Sequence, residues 1–184
     1  MRPRFAASTR DVVTAAIAEA RLRGDRRIGT EHLLLGVLRH SATTAAQALP
    51  VELADARAAL YALDEEALAA LGIHVVPSPR LAAPSNDCAE PCPAPPEPGL
   101  FGRNMPSPAQ VARLRAALSS GARAVLSQAI DAAPTQALTP ERVLAALLDR
   151  DPPDPAAAVL HHLGIDRAAA RARLAAAEGP ARPT

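Results

Sequence analysis

Lysine is absent from this chain of 184 residues, and all 20 of its basic residues are Arg. A Walker-type phosphate loop needs its lysine, so ATP hydrolysis of that kind cannot be built from these parts. Tryptophan is absent too, and the aromatics amount to one Tyr and two Phe. Ala and Leu must then fill the interior, which suits closely approaching helices and argues against a β-sandwich, whose core draws on aromatic and β-branched residues. An all-α fold is expected. Cysteine stops at Cys88 and Cys92, too few for a disulfide framework. The pair is spaced Cys-x-x-x-Cys with no second close pair, and the nearest histidine, His74, lies fourteen residues back. Loose thiols are expected rather than half of a zinc site, and no metal or other cofactor is expected. Apolar runs of roughly 18 residues, as a spanning helix needs, are missing, and so is a charged-then-apolar leader; a soluble, cytoplasmic protein is expected. Neither Gly-x-Ser-x-Gly nor His-Glu-x-x-His occurs, so no catalytic residues are assigned and an enzyme is not expected.

Strong charge of one sign is also lacking. The formal net charge is +1, with nine Arg against nine acids in residues 1–73, two against three in 74–106 and nine against seven in 107–184. No polybasic arm calls for nucleic acid or an anionic membrane. Arg21, Arg23, Arg26 and Arg27 form the one local basic cluster; with no aromatics nearby for stacking, a solvated, partly paired face is the simpler reading.

What the chain does contain is a stretch from Arg27 to Leu38 that reads as a loop delivered into a helix. Gly29 frees the backbone, Thr30 is placed to cap the orphan amides, and Glu31 sits where the helix dipole favours a carboxylate. Leu33, Leu34, Val37 and Leu38 then make one broad apolar stripe, predicting a buried helix. Before it, Ser8 or Thr9 caps a helix over 8–22 with Val12, Val13, Ala16, Ile17 and Ala20 buried, ended by Gly24-Asp25. After it, a short helix near 43–49 is stopped by Pro50, Leu53 to Leu63 carry another, and Asp64-Glu65-Glu66 opens a further short one ending at Gly72.

Nine of the 19 prolines fall between residues 74 and 106, predicting a semi-extended linker. Helices resume at Ser107-Pro108, with one to Gly121, one through Val125 and Ile130 to about Ala133, one over 138–148, then Ala156–Leu163 and Arg167–Ala177. His161 and His162 point in different directions on their helix, predicting one at a buried edge and one in solvent.

Arg4-Phe5, Val12-Val13, Ala16, Glu19-Ala20-Arg21 and then Ile28-Gly29-Thr30-Glu31-His32 through Leu38 resemble the first repeat of the Clp N-terminal domain, the all-α module that receives substrates and adaptors for Clp-type AAA+ unfoldases. The Leu138–Leu148 stretch echoes the same motif, so the resemblance implies a pseudo-twofold pair of helical repeats: 1–73 as the first, 74–106 as a Pro-rich linker and 107–184 as a degenerate second, together forming one domain. Two registers stay open. Aligning leucines sets Glu141 on Glu31 and Pro140 on Thr30; aligning caps sets Thr139 on Thr30 and Pro140 on Glu31.

On the residues alone, Glu31 serves the helix dipole and His32 packs or bonds locally, because neighbours on a helix diverge by about 100° and do not converge on one atom. The resemblance adds a role: in Clp N-domains that recognise phosphorylated arginine, the motif glutamate helps hold the modified side chain, and a carboxylate facing a guanidinium forms a bidentate pair. It implies a non-catalytic binding module without AAA+ parts, acting as adaptor, competitor or decoy in Clp proteolysis. Its expected partners are Clp components, their substrates and adaptors, phosphoarginine or cyclic-peptide ligands. The expected contact residues are Phe5, Thr30, Glu31 and His32, with Glu141 at the second motif. The alternative is a small helical DNA-binding regulator using the Arg21–Arg27 cluster.

Overall fold

The computed structural model describes residues 6–73, 114 and 116–177, and within them every named element is a helix. The first half holds α1 (Ala7–Arg23), α2 (Thr30–Leu38), α3 (Thr44–Gln47) and α4 (Leu53–Ala70). The second holds α5 (Ser120–Asp131), α6 (Pro140–Leu148), α7 (Pro155–His162) and α8 (Arg167–Ala177). No helix among the described residues is long and apolar enough to cross a membrane. Phe5, Cys88, Cys92, the 74–106 linker and the predicted helix start at Ser107-Pro108 lie outside the described residues.

Helix ends follow local chemistry with three corrections. At α1, no side chain caps the start, and Thr9 instead donates its hydroxyl to the Leu138 carbonyl at 2.5 Å. Gly24 (φ 79°) ends α1 in the left-handed conformation, where glycine avoids the Cβ clash. In α4, the two predicted helices are one, because nothing between Leu53 and Ala70 breaks it; the acidic run 64–66 lies exposed in its middle. The break before α5 falls at Leu118-Ser119, since Ser119 Oγ accepts the Ala122 amide at 3.1 Å and starts the helix two residues ahead of Gly121.

The two halves meet through reciprocal backbone contacts. Ile28, just before α2, pairs with Leu118, just before α5: the Ile28 amide donates to Ala117 and the Ser119 amide to Ile28, each at 2.9 Å. Ala6, just before α1, donates to Leu138, just before α6, at 3.1 Å. A continuous apolar core runs through both, with Leu33, Leu34 and Leu35 meeting the same cluster as Leu144, Leu147, Leu148 and Leu160. Burying each such leucine contributes roughly 2 kcal/mol. Helix α2 lies inside this core, packed against α1, α3, α4, α5, α6 and α7.

At Gly36 the α1 and α2 backbones touch. A Cβ there would stand 2.5 Å from the Val12 carbonyl oxygen and 3.0 Å from the Ala16 nitrogen. Only glycine permits that approach, and it seats α2, and with it the Gly29–His32 motif, firmly on α1.

Candidate functional site

Gly29, in extended conformation (φ −92°, ψ −176°), holds the N-cap place that the sequence suggests for Thr30. Its amide donates to His32 Nδ1 at 3.0 Å. In that bond Nδ1 is the acceptor. His32 is fully buried, and Nε2 stands 3.0 Å from Asp25 Oδ2 without the alignment of a hydrogen bond. Asp25 Oδ2 in turn accepts from Arg23 Nε at 3.0 Å.

Glu31 departs from the expected divergence. Its side chain folds back over Gly29, filling the space a Cβ there would need, and brings Oε1 to 3.0 Å from His32 Nδ1. The missing side chain of Gly29 makes that return possible. Oε2 has no hydrogen-bond partner among the described residues, while the side chain keeps 15% of its surface exposed. Glu31 is therefore the member of the motif that reaches solvent.

Thr30 faces the other way. Its hydroxyl donates to Asp154 Oδ1 at 2.7 Å and accepts from the Ala156 amide at 3.3 Å. Asp154 caps α7 through the same amide at 3.0 Å and pairs with Arg150 at 3.2 Å. Thr30 is 1% exposed and staples α2 to the second half. Gly121 lies beside this staple; a Cβ there would sit 3.3 Å from Thr30 Cγ2 and 3.4 Å from Asp154 Oδ2.

Counting from the first residue of each helix gives a common frame for the two motifs. α2 and α6 both have nine residues, so Pro140 stands at the place of Thr30 and Glu141 at that of Glu31. Glu141 is half-buried and has no hydrogen bond or ion pair among the described residues. Arg142, at the place of His32, turns away to Gln136 Oε1 and the Ala137 carbonyl. The structure thus groups Thr30, Glu31 and His32 at one helix start and leaves Glu141 at the head of another. His161 and His162 are both exposed, because α7 ends there and leaves no packed edge to cover either.

Sequence reasoning passed over Glu19, which is 2% exposed and held by two arginines. Arg57 donates to it from Nε at 3.0 Å and Nη2 at 2.7 Å, and Arg39 at 2.8 Å. Hydrogen bonding to Glu19 pushes the Arg57 pKa above its ordinary value, against the opposing pull of burial. An acid lying beside the buried stripe of α1 was the available signal. The Arg21–Arg27 cluster is not one free basic face. Arg23 donates to Asp64 at 2.7 Å as well as to Asp25 and stacks over the Tyr61 ring at 5.2 Å. Burial opposes its charge, but the bonds to Asp64 and Asp25 more than offset it, raising its pKa. Arg21, Arg26 and Arg27 are exposed.

No family model matches this chain, and no curated protein matches it. Among solved structures it is similar to the N-terminal domain of the caseinolytic protease associated chaperone ClpD from Arabidopsis thaliana, at 18% identity and a TM-score of 0.56, covering 94% of this chain and 98% of that one. The chain has the fold of a Clp N-terminal domain.

Proposed function

We propose that this protein is a non-catalytic binding module of Clp-type proteolysis, with Glu31 as its ligand contact. The observation that carries the reading is Glu31 itself: its Oε2 is enclosed yet has no hydrogen-bond partner among the described residues, while the side chain keeps 15% of its surface exposed at the start of a motif helix set in a Clp N-domain fold. A carboxylate recognises a guanidinium by a charge-assisted pair, and the resemblance to Clp N-domains that recognise phosphorylated arginine makes that side chain the ligand proposed. Thr30 and His32 support the site from inside by fixing the helix start, Phe5 joins it by the resemblance of its segment to the Clp repeat, and Glu141 offers a second, unsupported acid. Substrates, tags, adaptors or cyclic peptides that a Clp unfoldase receives are the natural occupants, making the chain an adaptor, competitor or decoy for that unfoldase.

Calorimetric titration with phosphoarginine tests this, alongside Glu31→Ala with its helicity checked by circular dichroism. Saturable binding by the native protein is expected, weakened at least tenfold in the variant, since a hydrogen bond to a charged group contributes about 1.5–3 kcal/mol. No binding by the native protein overturns the assignment of Glu31.

A further inference from the structure

His32 Nδ1 has two claimants. Gly29 offers it an N–H at 3.0 Å, and Glu31 Oε1, an acceptor, stands at the same 3.0 Å. One nitrogen cannot serve both. With a lone pair there, it accepts from Gly29 and opposes the Glu31 oxygen; with a proton there, it donates to Glu31 and releases Gly29. A protonated ring would also have Nε2–H beside Asp25 Oδ2 at 3.0 Å, giving each nitrogen a carboxylate. The ring is fully buried, so the choice is made inside the protein with little competition from water.

We propose that protonation of His32 latches Glu31 against the start of α2, and that loss of the proton frees Glu31 for the guanidinium of its ligand. This regulation rests on the reading of Glu31 as the ligand contact. Among the described residues, the charged groups by the ring come from two sides. Asp25, from the loop after α1, faces Nε2, with Arg23 of α1 behind it and Asp64 of α4 beyond that. Glu31 of α2 faces Nδ1. On the far side of the helix start, Asp154, itself paired with Arg150, accepts from Thr30, and Gly121 of α5 lies beside that bond. Asp25 stays beside the ring in either state, so the group whose partner changes is Glu31. Ligand affinity then rises with pH as the imidazolium disappears, because Glu31 is released and a neighbouring positive charge is lost together.

His32→Gln separates the switch from the fold. Glutamine three residues past an N-cap reaches back to the cap amide as His32 does, but it does not titrate. The test is nuclear magnetic resonance of the His32 ring and the Gly29 amide between about pH 5 and 8, where an imidazole changes charge, with phosphoarginine titrations of both proteins at the two ends. Ring and Gly29 amide are expected to move with one midpoint in the native protein, with the amide flat in His32→Gln. Acidification is expected to weaken native binding at least about fivefold more than it weakens the variant, whose response reports the ligand's own titration. A Gly29 amide that ignores the ring, a ring that keeps one state throughout, or equal pH dependence in both proteins overturns the latch. Failure of native protein to bind at either end overturns the ligand contact instead, and the latch is then decided by the amide shift alone.

Discussion

Arg57 is the fifth residue of α4 and Arg171 the fifth of α8, each next to a buried alanine, Ala56 or Ala170, and three residues ahead of a buried leucine, Leu60 or Leu174. Their partners differ. Arg57 reaches across to Glu19 on α1, which is 2% exposed, whereas Arg171 pairs at 2.6 Å with Asp149, which is 48% exposed, and with the Leu148 carbonyl at the end of α6. The place after α2 that corresponds to Asp149 is Arg39, so the charge there is reversed. In the first half one buried acid gathers two arginines from separate elements; in the second an exposed pair closes a helix end. In the first half the buried acid ties the end of α2 and the start of α4 to α1, and α2 carries the candidate site.

The spacing of helix pairs tells the same story and supplies the largest test. Gly36 in α2 and Ala146 in α6 occupy matching places, both inside the core. Gly36→Ala would push a methyl into the α1 backbone, with Val12 oxygen at 2.5 Å. Backbone has no rotamer to yield, so a loss of about 3 kcal/mol is expected, the upper end for overpacking. Ala146→Gly should cost about 1 kcal/mol, mainly helix propensity. Urea denaturation of the two variants measures both. Equal losses would mean that the halves pack alike and that the close α1–α2 approach is not a special feature of the first.

Glu19→Gln against Asp149→Asn sharpens the electrostatic contrast. Glutamine there removes the charge that both arginines face and turns one accepting oxygen into an NH2 that opposes an arginine donor; both arginines still reach water, which holds the expected loss to about 2 kcal/mol, below the figure for a fully enclosed pair. The exposed Asp149 pair should be worth under about 1 kcal/mol. Repeating the denaturation at about 1 M salt should shrink the Asp149 effect far more than that of Glu19, because screening acts on charges that water surrounds.

These contrasts also mark what was legible in the sequence. Helices α2 and α6 were readable because each combines a loop, an acid in the first turn and a run of leucines, all of them local signals. The long α4 was misdivided because an acidic run imitates a helix start; absence of Gly or Pro from 53 to 70 was the stronger clue. The motif draws attention to Glu31 and His32, but not to their 3.0 Å approach, since helical divergence holds for side chains that extend outward and Glu31 doubles back over a glycine. Thr30 was read as a cap because capping preference is local. Its real partner, Asp154, lies 124 residues onward, and no rule of spacing reaches that far. Partner identity for Glu19 was hidden for the same reason.

That distant bond is the finest of the comparisons, because Pro140, the counterpart of Thr30, has no hydroxyl to offer. Thr30→Val keeps the shape and deletes the donor, and Asp154 keeps the Ala156 amide and Arg150. A loss of about 1 kcal/mol is expected, an ordinary net hydrogen bond, with the abandoned Asp154 oxygen adding little while those partners remain. A double-mutant cycle with Asp154→Ala, which removes the accepting oxygen, isolates the link between the halves, with a coupling of about 0.5–1.5 kcal/mol expected for residues in direct contact. Coupling near zero would make Thr30 and Asp154 two independent helix-end residues that happen to touch, and the reciprocal backbone contacts at Ile28 and Leu138 would then have to account for the polar adhesion between the halves.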